Sequence, residues 1–237
     1  MKAAARIVAE ADGRGGTRLV ELYGEAPLLP RRTLSASPLS ARVHLVGGAA
    51  GPLGGDDLHL DIRVGPGAHL SVHTVAASVA LPGPAGSRTL VTATVAEDAS
   101  LTWLPEPVVA ARGCDHRAES RVDLHATARL HWREELVCGR HGESCGDLTL
   151  AMTVRRSGAS LFRHDLTVGP RAPWFSSPAV LGDARCAGTL VVVSPSASVE
   201  VSTRARPGLA VMPLAGPGYV VSAVAGQAHE LRARLSL

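Results

Sequence analysis

One short pattern returns along this chain at a nearly constant interval. An aliphatic residue, three turn-forming residues, an alanine, one variable residue and a second aliphatic occur as Val64-Gly65-Pro66-Gly67-Ala68-His69-Leu70. The same order stands at Val95 to Leu101 and again at Leu124 to Leu130. A looser copy with one extra turn residue runs from Val154 to Leu161, and another from Val193 to Val199. The alanines at 68, 99, 128 and 159 are spaced by 31, 29 and 31 positions. A period of about 20–50 residues marks stacked units, each covering its neighbour's apolar face.

The segments between these turns alternate apolar and polar residues with period two, as in Leu58-His59-Leu60-Asp61-Ile62-Arg63-Val64 and Leu148-Thr149-Leu150-Ala151-Met152. That period puts one face of an extended strand on a core. The expected fold is therefore all-β, a single domain over residues 1–237 built of stacked strand repeats in solenoid-like layers, with at most a few short helices. Each unit reads as two strands joined by a tight turn, with the small alanine at the crowded corner. An ordinary sandwich with short hairpins is the competing architecture. Two regions break the rhythm: the glycine-rich loop 47–57, and the proline-bearing stretch 170–188, expected as a surface excursion. Trp132 to Val137 reads as either a short helix or a further strand.

Composition narrows the function classes. Net charge is only +3 and charged residues make up 19% of the chain, which is no solvated polyelectrolyte. Two Phe, three Trp and two Tyr leave little to stack on bases, and basic residues nowhere form a run of five, so nucleic-acid binding is not expected. The first residues lack the apolar stretch of a signal peptide, and no run approaches the ~18 apolar residues of a membrane span. Four cysteines are too few to staple a chain this long, so a cytoplasmic protein with free thiols is expected.

Several strings invite a chemical reading. The loop 47–57 is rich in glycine but ends in Asp56-Asp57 and feeds an alternating strand, which does not suit phosphate. Gly142-Glu143-Ser144-Cys145-Gly146 has the Gly-x-Ser-x-Gly pattern of a nucleophile elbow, yet another alternating strand follows where an elbow needs a helix. Cys138, His141 and Cys145 have ligand-like spacing for nickel, zinc or copper, without an obvious fourth ligand. Glu134, Glu135, Arg140 and Glu143 form the densest charged cluster. It is either a solvated, ion-paired loop or a docking or ion-guiding lip where a guanidinium holds carboxylates in place.

Taken in order, a set of motifs then resembles one known family. Gly54-Gly55-Asp56 opens an alternating strand; Val64 to Ala68 follows; then Leu104-Pro105-Glu106-Pro107; then Glu135 to Glu143 with its Gly139-Arg140 and Gly142-Glu143 pairs. Over roughly residues 40–170 these strings resemble the urease accessory proteins called UreD, or UreH in some organisms. Residues 171–237 carry less of the likeness. His73 to Ala77 departs from the Thr-Thr motif usual in the family, and the Gly-Arg to Gly-Glu spacing is shortened to the single His141.

The resemblance implies a β-rich scaffold, not an enzyme, with no cofactor of its own. It implies partners in urease apoprotein and in UreF-type and UreG-type accessory proteins, with nickel in transit to the urease site. It points to Gly54, Gly55, Asp56, Leu104, Pro105, Pro107, Glu135, Gly139, Arg140, Gly142 and Glu143 as partner-binding or nickel-path candidates. Three alternatives stay open: a serine hydrolase using Ser144, a stacked-β enzyme acting on polysaccharide, and a self-standing metal-binding protein using Cys138, His141 and Cys145.

Overall fold

The computed structural model describes residues 1–195 and 202–236. In chain order the first strands are β1 (Lys2–Ala11), β2 (Thr17–Gly24), β3 (Leu28–Thr33), β4 (Ala41–Gly47), β5 (Asp57–Val64) and β6 (His69–Thr74). Then come β7 (Ser78–Ala80), β8 (Ser87–Val95), β9 (Ser100–Leu104), β10 (Val108–Ala110), β11 (Asp115–Leu124) and β12 (Arg129–Cys138). The rest are β13 (Asp147–Arg156), β14 (Ala159–Val168), β15 (Cys186–Val193), β16 (Arg204–Arg206), β17 (Leu209–Pro213) and β18 (Gly218–Ala225). One helix, α1 (Ala228–Leu235), closes the chain. Among the described residues no helix is long and apolar enough to cross a membrane.

These strands form two sheets. The first has seven strands in the order β14-β13-β11-β8-β5-β1-β2, and the second has eleven, with β16-β17-β18-β15-β12-β9-β6-β4-β3 along its main path. From β5 to β13 the chain winds. Strands β5, β8, β11 and β13 lie parallel in the first sheet, and β6, β9 and β12 lie parallel in the second. Successive coils therefore stack, and the short strands β7 and β10 add a third wall by pairing with each other and with the end of β12. The solenoid-like layering expected from the repeat is the architecture observed.

The corner explains the spaced alanines. Ala68, Ala99 and Ala128 are each fully buried. Each donates its amide to the residue three back, at 3.1, 3.3 and 3.1 Å, and the amides of Ser100 and Arg129 reach the alanine carbonyl of the coil before. Any larger side chain would have to enter that seam. Register then brings like residues together: Leu70, Leu101 and Leu130 in one buried row, Val72, Trp103 and Trp132 in the next. The two indoles stack with centroids 5.1 Å apart. This aliphatic layer between the sheets is the main core.

Later copies of the repeat do not continue the stack. At Val154 to Leu161 the chain turns through Ser157 and Gly158, both at positive φ (49° and 79°), and β14 returns antiparallel to β13. Paired left-handed residues match the twist of a tight hairpin, which a coil corner does not use. Ala159 accordingly lies exposed on an edge strand instead of in a corner. The copy at 193–199 falls largely outside the described residues. Trp132 to Val137 is strand, with Trp132 and Leu136 fully buried. The stretch 170–188 is mostly turns around a single 3-10 turn at Pro173–Ser176, with Trp174 68% exposed.

After that excursion the chain becomes antiparallel. Strand β15 pairs with β12 on one side and β18 on the other, and β17 and β16 follow outward. Helix α1 lies across β15 and β18, burying Leu231 and Leu235 against Leu190 and Val221. Gly188 makes room: a Cβ there would come 2.7 Å from Leu235 and 2.9 Å from the Glu134 carbonyl.

Candidate functional site

Between the two sheets, below the stacked indoles, lies a cavity of about 420 Å³. Its walls are mostly apolar, with Leu58, Leu60, Val91 and Leu150 from the first sheet and Leu45 and Trp103 from the second. Into this space three polar side chains project, because alternation along β11 and β12 turns them inward. They are His116, Ser120 and Glu134.

Glu134 is enclosed deep in the molecule yet keeps part of its surface open to the cavity. It accepts hydrogen bonds from the Ser120 hydroxyl at 2.5 Å and from Trp132 Nε1 at 3.0 Å. Burial pushes its carboxyl above the usual range, and the two donors oppose that only in part. His116 shares a 2.9 Å hydrogen bond between its Nδ1 and Ser87. Its pKa is pushed down to about 4 by burial, against the pull of Asp115 and Asp56, so the ring is neutral at pH 7. A neutral imidazole, a hydroxyl and a carboxyl make a small set of oxygen and nitrogen donors in an apolar shell.

At the rim stands a clasp of charges. Arg232 of α1 reaches Glu106 through two bonds of 3.0 and 2.9 Å and Glu135 through two of 3.4 and 2.9 Å. Arg133 approaches the other side of Glu135 at 3.2 Å. The Glu135 side chain is wholly buried. Leaving such a carboxylate without its guanidinium partners would strand a charge in the interior. Both hydrogen bonding and charge raise Arg232 above its ordinary pKa, whereas burial lowers Arg133.

The residues singled out by sequence divide into two groups. Gly54, Gly55 and Asp56 form a tight corner. A Cβ on Gly54 would stand 2.5 Å from the Gly83 Cα, and Gly55 has φ +92°. Buried Asp56 accepts the Leu53 amide at 2.8 Å and pairs with the Met1 amine. The Leu104, Pro105 and Pro107 stretch leads from β9 into the rim, where the Pro105 carbonyl accepts from Arg133 and the Pro107 carbonyl from the Ser78 amide. With Glu135, these places border the cavity or its supports.

Gly139, Arg140, Gly142 and Glu143 stand elsewhere, on the loop joining β12 to β13. Arg140 grips Glu143 with bonds of 2.9 and 2.8 Å, which holds the Glu143 carboxyl down at about 2. From below, Arg185 donates to the carbonyls of Cys138, Arg140 and Glu143. Gly139 has φ +72°, and a Cβ there would lie 2.4 Å from the Glu143 carbonyl oxygen. The expected four-member charge cluster is thus split: Glu134 and Glu135 are strand residues on opposite faces of β12, and Arg140 and Glu143 close an exposed loop. A guanidinium between carboxylates does exist, but it is Arg232.

The same loop settles where the other candidates lie. Cys138 is buried and Cys145 half-buried beside it, while His141 is exposed. The neighbouring Cys145 thiol lowers Cys138 and is itself raised. Among the described residues no three His, Cys, Asp or Glu side chains are grouped to hold a metal. Ser144 is exposed on a segment that runs straight into β13, so the strand-to-helix elbow is not formed. Sequence reasoning passed over Glu106, Ser120, His116 and Arg232. Of the two readings open for Trp132 to Val137, the strand is the one that turns Glu134 inward with Trp132 and Leu136; nothing local marked Arg232.

A family model described as UreD urease accessory protein matches residues 1–236, beyond the 40–170 span that holds the motifs. The chain is 45% identical over 258 residues to the urease accessory protein UreD of Parafrankia sp. (strain EAN1pec), covering 99% of this chain and 86% of that protein. It is 47% identical over 243 residues to urease accessory protein UreD 3 of Streptomyces griseus, covering 99% and 94%. It is 47% identical over 237 residues to urease accessory protein UreD of Streptomyces coelicolor, covering 98% and 93%.

Proposed function

The chain belongs to the UreD family of urease accessory proteins, and we propose that within urease maturation it acts as a non-catalytic scaffold. In this reading it holds urease apoprotein beside UreF-type and UreG-type accessory proteins in the cytoplasm while nickel is inserted. The four free cysteines suit a reducing compartment.

The observation that carries the reading is the cavity between the sheets with Glu134, Ser120 and His116 on its walls and the Glu106–Arg232–Glu135 clasp at its rim. Carboxylate and imidazole groups suit a divalent cation of nickel's kind. Burial disfavours the ionised form of Glu134, and a passing cation offsets that penalty by attraction. His116 is neutral and offers a lone pair. The donors are too few to form a closed coordination shell. That arrangement suits transfer, where a cation must be released as readily as it is taken up.

The test is deletion of the gene in its host, with urease activity assayed with and without added nickel. Loss of activity, eased by excess nickel and restored by the wild-type gene, is expected. The Glu134→Gln chain is expected to assemble with the other proteins yet activate urease poorly. Urease activity unchanged by the deletion in both media would refute the scaffold role.

A further inference from the structure

The two sheets present different chemistry to the outside. On the first sheet each outward arginine of the central strands lies against an acid. Arg6 and Arg63 both meet Asp61, at 3.2 and 3.0 Å, and Arg88 and Arg121 both meet Glu119, at 2.9 and 2.6 Å. That face carries acids of its own among the arginines.

Across β3, β4, β6, β9 and the first half of β12, the outward face of the second sheet does not. Register aligns Arg42, Ser71, Thr102 and His131 in one row across β4, β6, β9 and β12. The next row carries His44, His73 and Leu104, with Arg31 beside His44 on β3 and Arg133 as the following outward residue of β12. A third row holds His69, Ser100 and Arg129. No Asp or Glu stands in these rows. The nearest acids, Glu106 and Glu135, are already engaged by Arg232 and Arg133.

The face is also short of acceptors. Among the described residues Arg31, Arg42 and Arg129 pair with no carboxylate, and the buried Arg42 Nε has no hydrogen-bond partner. His44, His69 and His73 are each anchored through one ring nitrogen to a hydroxyl, at 2.8, 2.9 and 2.7 Å, which leaves the second nitrogen for a ligand. Buried donors without acceptors are costly until something supplies them.

We propose that the outward face of the second sheet across β3, β4, β6, β9 and the first half of β12, with arginine and imidazole rows in which no acid stands, is a docking site for an acidic protein surface rich in Asp and Glu. The proposal rests on the scaffold role and names the chemistry of one partner surface. A protein occupant fits better than the other polyanions. The arginines are spread over β3, β4 and β12 of a sheet whose strands lie about 4.8 Å apart, instead of gathered around one phosphate. Across β3 to β12 the rows hold imidazoles but no Phe, Tyr or Trp, the larger platforms on which bases stack. Leu104 is the one large apolar side chain, too little to enter a bilayer.

The full chain is titrated at pH 7 and low salt with a fluorescein-labelled poly-glutamate peptide, followed by anisotropy. A single-stranded oligonucleotide and phosphatidylglycerol vesicles serve as competitors. Two double variants remove the same charge from opposite faces: Arg42→Gln with Arg129→Gln, and Arg6→Gln with Arg63→Gln. The first pair is expected to weaken peptide binding roughly tenfold and the second to change it less than about twofold. Equal losses from both pairs would show a general charge effect and overturn the proposal, as would no binding of the peptide. Displacement of the peptide by oligonucleotide or vesicles at lower concentration than by unlabelled peptide would assign the face to those ligands instead. Failure of these titrations leaves the scaffold role standing, since the deletion assay tests that role independently.

Discussion

The stacked half of this molecule, β4 to β13, and the antiparallel half that follows are held together by different physics. In the stacked half, shape decides. Buried alanines fill the corners, Gly54 and Gly83 touch backbone to backbone, and identical apolar rows repeat from coil to coil. In the later half the helix is fastened by an apolar patch and, at its edge, by one guanidinium between two carboxylates from the stacked half. Shape complementarity is spread over many residues, so no single contact in the coils is irreplaceable. A charge clasp concentrates its contribution in one or two side chains.

The sharpest way to break that contrast is Glu135→Ala. Removing the buried carboxylate leaves Arg133 uncompensated and Arg232 half-served, with an expected loss of about 4 kcal/mol. Hydrogen exchange should show α1 losing protection before the coils do. Even loss of protection across both halves would mean the clasp does not belong to the helix alone.

Acid is the next largest lever, and it acts on the stacked half. His116 has its folded pKa depressed to about 4, below the ordinary 6.5. Its contribution is therefore fully present above pH 6.5 and is lost as pH falls toward 4, because the unfolded chain takes up the proton first. That window holds about 3 kcal/mol. The stability measured by denaturant melts should fall more steeply from pH 7 to pH 4 for the wild type than for His116→Gln; parallel stability profiles would remove His116 as the cause.

A smaller effect is expected from Gly54→Ala. The new methyl meets the Gly83 backbone, and overpacking of this kind costs about 2 kcal/mol. The loss should appear in chemical melts while exchange at α1 keeps its place relative to the whole. The smallest effect belongs to Arg140→Ala. Its pairing with Glu143 is exposed, and the loop is still tied by Arg185, so the melting temperature should stay unchanged. A clear drop would show that this loop supports the fold as well as its surface.

The same contrast governs what the sequence revealed. Coils repeat, so the spacing of Ala68, Ala99 and Ala128 marks both the layering and its corner in the sequence itself. The copy at Ala159 misled, because the string does not say whether the turn at Ser157-Gly158 continues a coil or reverses a hairpin. Only the two positive φ angles decide that. Motif residues such as Gly54, Asp56 and Pro107 were legible as special positions, and the structure gives them work in building corners and rims. Glu106 and Arg232 were not legible, since a contact across 126 positions leaves no local pattern. The imidazole, hydroxyl and carboxyl of the cavity were likewise not legible as a group until β11 and β12 were known to face each other.

The hairpin that ends the winding has a consequence for crowded conditions. A parallel ladder that simply stopped would offer its last strand as a template, onto which an identical molecule could add and extend the pile. Here the final strand of that sheet runs the opposite way and carries Arg163 and Asp165 along its outer course. An incoming copy meets reversed polarity and a charged border, so growth into fibres is discouraged from that end.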